Sequence, residues 1–152
     1  MATKTETTRP DLVVYSTDQK PRLIVELKAA TRLRSSETGW LSAVHQHYSQ
    51  PGCYFLIVTP ETLLLWLPDA ESGAEPAFAV DAEQVLAGRL DTQRFPLSRL
   101  SGQELESVVY SWLLFTLFKS AQELLADPNQ RWLVQSGLHA LIYQGDVMRQ
   151  AA

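Results

Sequence analysis

RLIVELK (residues 22–28) decides the fold of this 152-residue chain, together with DLVVY (residues 11–15) before it and CYFLIVT (residues 53–59) after it. β-Branched and aliphatic residues dominate all three segments, which predicts strands. The polar segment STDQKP (residues 16–21) separates the first two strands and predicts a hairpin turn. The third segment is apolar throughout, as expected for a strand covered on both faces of its sheet.

A helix and two more strands are predicted after this hairpin. The helix covers residues 38–50, because Pro51 and Gly52 end it. TLLLWL (residues 62–67) predicts a further strand, and a short strand is expected at residues 78–80.

The second half of the chain carries helix signals. Asp81 is a suitable cap for a helix that extends to residue 90. Ser101 and Glu104 have the spacing of a capping box, which predicts a long helix from there to residue 126. A last helix is expected over residues 130–143.

These elements predict a single α/β domain over residues 1–152, with a mixed central sheet flanked by helices. Its motif-bearing core is residues 9–67, and residues 81–145 form a helical C-terminal part. The hydrophobic fraction of 45% excludes a disordered chain, and a single cysteine excludes a disulfide scaffold.

Charge and hydropathy narrow the functional classes. The net charge of −4 argues against a non-specific nucleic-acid coat. Residues 9–34 nevertheless carry six basic and three acidic side chains, which suits an enzyme that meets a polyanion at one basic rim. The polar N-terminus predicts no export signal, and the apolar run over residues 108–118 is too short for a membrane span. We therefore expect a cytoplasmic protein without a membrane partner.

The hairpin places two carboxylates together. If Tyr15 and Arg22 flank the turn, antiparallel pairing sets Asp11 opposite Glu26 on the same face of the sheet. Opposed carboxylates repel each other, so the pair makes sense if a cation lies between them. Mg²⁺ fits, since it is bound through one or two carboxylates, and Lys28 lies next along this face.

Pro10-Asp11 followed by Glu26-Leu27-Lys28 resembles the motif of the PD-(D/E)XK nuclease superfamily, which has the restriction-endonuclease-like fold. The order of elements that follows is also similar to uncharacterised bacterial members. The resemblance implies DNA as substrate and Mg²⁺ or Mn²⁺ held by Asp11 and Glu26, with the Leu27 carbonyl as a third ligand. It implies that Lys28 orients or activates water during phosphodiester hydrolysis.

Three further residues are candidate substrate contacts. Arg32 and Arg34 follow the lysine and could bind phosphates, or they belong to a solvated loop. Gln46 is a candidate on the predicted helix, although superfamily members often carry Gln-x-x-x-Tyr and here Gln46 and Tyr48 are only two apart. His45 is expected to be an ordinary, partly exposed histidine.

Two functions remain open from the sequence. The first is a divalent-metal-dependent deoxyribonuclease that uses Asp11, Glu26 and Lys28. The second is a catalytically idle nuclease-fold module that binds protein or nucleic acid, in which the three residues are inherited and unused.

The helix predicted from residue 101 raises the question of what buries it. Superfamily members usually begin with a helix packed on the sheet, and only nine residues precede Pro10 here. We expect residues 101–126 to cover that bare sheet face. Because this helix is apolar nearly all round, its remaining side should be buried by residues 130–143 or by a second copy of the chain. A homodimer through the C-terminal helices is expected.

Overall fold

A six-stranded mixed sheet flanked by helices forms the body of the computed structural model, which describes residues 9–29 and 38–150. The elements are β1 (Leu12–Tyr15), β2 (Pro21–Leu27), α1 (Thr38–Tyr48), β3 (Tyr54–Val58), β4 (Thr62–Trp66), β5 (Phe78–Asp81), α2 (Ala82–Leu86), a 3₁₀ helix (Leu97–Arg99), α3 (Gly102–Phe118), α4 (Ala121–Ala126), α5 (Trp132–Gln135), α6 (Leu138–Ile142) and β6 (Asp146–Arg149). The strand order is β5-β4-β3-β2-β1-β6, in which only β2 and β3 run parallel.

The hairpin of β1 and β2 has the predicted register along most of its length. Leu12 pairs with Val25 and Val14 with Leu23, which is the pairing that brings Asp11 level with Glu26. The predicted turn boundary is wrong, because Tyr15 pairs with Pro21 rather than with Arg22 and the register shifts after Val14.

The cause of this shift lies in the turn. The Ser16 N–H donates to the Lys20 carbonyl at 2.9 Å, and Gln19 has a left-handed φ of 66°. These contacts close a loop of residues 16–20, so β2 begins one residue earlier than predicted. Proline is tolerated there, since the first residue of a strand need not donate to the ladder.

The two faces of the sheet are covered by different helices. One face carries Leu12, Val25 and Leu56 and is covered by α2 to α6. The opposite face carries Val13 and Ile24 and is covered by α1 and the loop after β4. The C-terminal helices therefore pack on a single face, as predicted for residues 101–126.

Two predicted helices are each divided in two. Residues 101–126 form α3 and α4, since Lys119 ends α3 and Ser120 starts α4 with a capping box to Glu123. The buried His139 ring contacts the Lys119 carbonyl through Nε2 at 2.8 Å and fills the break. Residues 130–143 form α5 and α6, separated by Gly137 at a φ of 85°. The helix after Asp81 ends at Leu86 rather than at residue 90.

The strand β6 is absent from the sequence-based prediction. It pairs antiparallel with β1, and beyond it the Gln150 N–H donates to the Asp11 carbonyl at 3.1 Å. Gly145 leads into this strand against the backbone of Tyr15, where a Cβ atom would lie 2.0 Å from the Tyr15 carbonyl oxygen. Glycine is therefore required by a close approach of two backbones.

The outer side of α3 is not covered by the last helices. Phe115 is 51% exposed and Phe118 is 67% exposed, so residues 130–143 do not bury this side in the described chain, and the alternative of burial by a second copy of the chain stays a prediction. The helices α5 and α6 instead fill the core with Trp132, Leu133 and Leu138. Residues 9–29 and 38–150 contain no helix with the length and apolarity of a membrane span.

Candidate carboxylate site

Asp11 and Glu26 meet at the end of the β1–β2 hairpin. Alternation along the strands places both side chains on the face of Val13 and Ile24, which is the face covered by α1. The Asp11 carboxylate is fixed at this position because its Oδ2 accepts the Leu27 N–H at 2.7 Å. The predicted juxtaposition of the two carboxylates is thus present.

Glu26 is an unusually placed glutamate. It is only 5% exposed, and its Oε2 forms an ion pair with Lys28 Nζ at 3.0 Å. Its Oε1 is buried without a hydrogen-bond partner among the described residues. Burial, followed by the negative charge of Asp11, raises the pKa of Glu26 to about 7, against the opposing effect of Lys28.

Tyr48 is the fourth member of the site. It lies in the last turn of α1, and its ring stacks on Phe55 with 6.2 Å between centroids. Burial and then the charges of Glu26 and Asp11 raise the pKa of its hydroxyl.

Sequence reasoning did not assign Tyr48 to the site, although a signal was present. Leu41, Val44 and Tyr48 recur at helical spacing, and all three pack toward the sheet face that carries Glu26. The helical spacing of these three residues therefore predicts that Tyr48 faces the sheet, without reference to a sequence motif.

The other candidates have different outcomes. Gln46 is exposed on α1, and residues two apart on a helix do not share a face, so it is not grouped with Tyr48. Arg32 and Arg34 lie outside the described residues. The Leu27 backbone is at the site through its N–H, and the role of its carbonyl as a ligand stays a prediction.

The prediction of a partly exposed His45 is wrong. It is 3% exposed and stacks on Trp66 with 5.0 Å between ring centroids. Its Nδ1 has no hydrogen-bond partner among the described residues, and burial lowers the pKa of the ring. His45 therefore anchors α1 to the sheet through its stacking on Trp66.

The donor set fits one hard divalent cation. The described residues contain no group of three histidine, cysteine or acidic side chains that could hold a metal ion, so an ion at this site would have the carboxylates of Asp11 and Glu26 as its side-chain ligands. A buried carboxylate oxygen without a donor, next to a second carboxylate, is the arrangement that a cation would stabilise. Mg²⁺ commonly uses one or two carboxylates and completes its shell with water and substrate phosphate.

The raised pKa of Glu26 predicts a pH-dependent stability. Since this pKa is about 7 in the folded chain against an ordinary 4.5, the folded chain holds a proton that the unfolded chain has released. The free energy of unfolding should therefore fall as pH rises from about 4.5 through about 7. We expect Glu26→Gln to be more stable than wild type above that range, by up to about 3 kcal/mol, with little difference below it.

Urea unfolding without divalent metal, at about pH 4 and about pH 8, measures this difference. Glu75→Gln makes the same change at an exposed glutamate and should leave the pH dependence as in wild type. A constant offset between Glu26→Gln and wild type at both pH values would contradict the prediction.

Comparisons of this chain with protein-family models, with curated proteins and with solved structures gave no match in any of the three.

Proposed function

We propose that the protein is a divalent-metal-dependent DNA nuclease of the PD-(D/E)XK type, built on a restriction-endonuclease-like version of the mixed sheet. The observation that carries the proposal is the meeting of Asp11, Glu26 and Lys28 on one sheet face, with Glu26 Oε1 buried and lacking a donor. Two carboxylates held close together destabilise the fold. In a metal-dependent phosphodiesterase both carboxylates would bind the ion, and the lysine beside them would stabilise charge on the phosphate.

Each side chain has a role that its position supports. Asp11 and Glu26 would hold Mg²⁺ or Mn²⁺, and Asp11 is pre-oriented by the Leu27 N–H. When bound, the ion supplies Lewis-acid activation of water and charge neutralisation at the phosphate. Lys28 places its ammonium 3.0 Å from Glu26, where it orients water and stabilises negative charge on the phosphate. The Tyr48 hydroxyl can donate to a phosphate oxygen from the α1 side.

A cleavage assay tests the proposal directly. Single-stranded, duplex and branched DNA are incubated with the protein in Mg²⁺, in Mn²⁺ and in EDTA, and products are resolved by length. We expect cleavage in either metal and none in EDTA. Absence of cleavage on all three substrates in both metals would contradict the nuclease function.

One observation favours the idle-module alternative. Glu26 Oε2 already has Lys28 as a partner, so the pair is partly satisfied without a metal ion. Calorimetric titration with Mn²⁺ separates the two functions. An idle module should give no Mn²⁺ binding that depends on Asp11, whereas the nuclease should bind Mn²⁺ in wild type and lose it in Asp11→Asn.

A further inference from the structure

The uncovered side of α3 forms an apolar patch, which we define as Leu114, Phe115 and Phe118. Together with Lys119 these residues line an open cavity of about 410 Å³. The patch lies on the helical layer that covers the Leu12 and Val25 face, whereas Asp11 and Glu26 lie on the opposite face. Its function is therefore separate from the proposed nuclease site.

Two cations border the patch. The Arg89 guanidinium lies 3.7 Å from the centroid of the Phe115 ring, and Lys119 lines the cavity. Neither cation has a carboxylate within ion-pair distance among residues 9–29 and 38–150. Two acidic side chains lie nearby: Glu123 accepts the Ser120 N–H, and Asp127, which accepts the Asn129 N–H, lines a neighbouring cavity with Arg89 and Lys119. Neither comes within ion-pair distance of the two cations, which keep the rim open to carboxylates of a partner.

We propose that this patch docks an apolar segment of another protein that is flanked by acidic side chains. The two aromatic rings and Leu114 bind its apolar anchors, and Arg89 and Lys119 pair with its carboxylates at the rim. A second copy of this chain is a poorer occupant, because a two-fold contact would bring both pairs of cations together. An anionic membrane is also a poorer occupant, since it is bound through clusters of cations and the chain carries a net charge of −4.

Matched peptides test the charge and the anchors. The first probe is a fluorescein-labelled amphipathic peptide of about fifteen residues, with Leu and Phe along one face and Glu beside them. The second has Lys at every Glu position, and the third has Ala at every Leu and Phe position. We expect the full-length protein to bind the acidic peptide about tenfold or more tightly than the basic one, and to bind the alanine peptide least.

Variants of the protein locate the binding. Phe118→Ser should weaken binding of the acidic peptide by about thirtyfold, whereas Phe95→Ser, at a half-exposed phenylalanine outside the patch, should not change it. Arg89→Glu combined with Lys119→Glu should reverse the preference toward the basic peptide. Circular dichroism verifies that each variant is folded.

Several outcomes overturn the proposal. Equal binding of the acidic and basic peptides, equal effects of the two phenylalanine variants, or no binding at millimolar peptide would each do so. Light scattering that shows a dimer dissolved by Phe118→Ser would assign the patch to a second copy. Sedimentation with vesicles containing phosphatidylserine, if lost in Phe118→Ser and not in Phe95→Ser, would assign it to a membrane.

Discussion

Asp11→Asn and Glu26→Gln are each expected to reduce metal-dependent DNA cleavage to background, while the protein stays folded. Both substitutions keep the shape of the side chain, and Asn retains an oxygen that can accept the Leu27 N–H. What they remove is the negative charge that would hold the cation. Lys28→Ala should lower the rate about a hundredfold to a thousandfold, because it removes a single stabilising charge from the reacting phosphate.

Matched controls exist at the other end of the same hairpin. Asp18→Asn and Lys20→Ala change an exposed acid and an exposed base near the turn, and both should cleave DNA at the wild-type rate. Single-turnover assays in Mg²⁺ measure the cleavage rate of each variant, and calorimetric titration with Mn²⁺ measures how tightly each variant binds the ion. Cleavage that persists in Glu26→Gln at more than about a tenth of the wild-type rate would remove Glu26 from the site.

Gly145→Ala is expected to destabilise the fold by about 3 kcal/mol. The new Cβ would lie 2.0 Å from the Tyr15 carbonyl oxygen and 2.9 Å from that of Ile142. Both obstacles are backbone atoms, which cannot turn aside as the tip of a side chain can. Relief requires β6 to move away from β1.

Gly88→Ala is the matched control, because an added Cβ there meets nothing within 4 Å. Its free energy of unfolding should differ from that of wild type by less than about 1 kcal/mol. Urea denaturation compares the two variants, and hydrogen exchange at residues 146–149 reports whether β6 has detached. Equal stability of Gly145→Ala and Gly88→Ala would show that the close approach is relieved without cost.

The sequence predicted best where hydrophobic pattern and burial agree. CYFLIVT contains a strand buried on both faces, and the alternation of RLIVELK sorts its residues onto the two faces as observed. The division at Lys119 was predictable as well, because Ser120 and Glu123 repeat the capping-box spacing of Ser101 and Glu104. β6 was not predictable, since its four residues bury only Val147 and owe their pairing to β1.

The residues of the candidate site were likewise predictable where their positions depend on local structure. Asp11, Glu26 and Lys28 came from strand alternation and pairing, which are local properties of the hairpin. The burial of His45 and the approach of Tyr48 depend on how α1 packs over Phe55 and Trp66. That packing joins segments that are distant in the chain. Helical spacing alone therefore predicts which side of α1 faces the sheet, but not which strand residues it contacts.

The pairing of β6 with β1 also has a consequence for synthesis of the chain. Leu12 is synthesised before its partner Arg149, with more than a hundred residues between the two. At a translation rate of about 10 residues per second, the nascent β1 waits on the order of ten seconds with one edge unpaired. During that interval the strand next to Asp11 offers free backbone groups to any passing chain. The order of pairing therefore leaves this edge of the hairpin exposed until β6 has been synthesised.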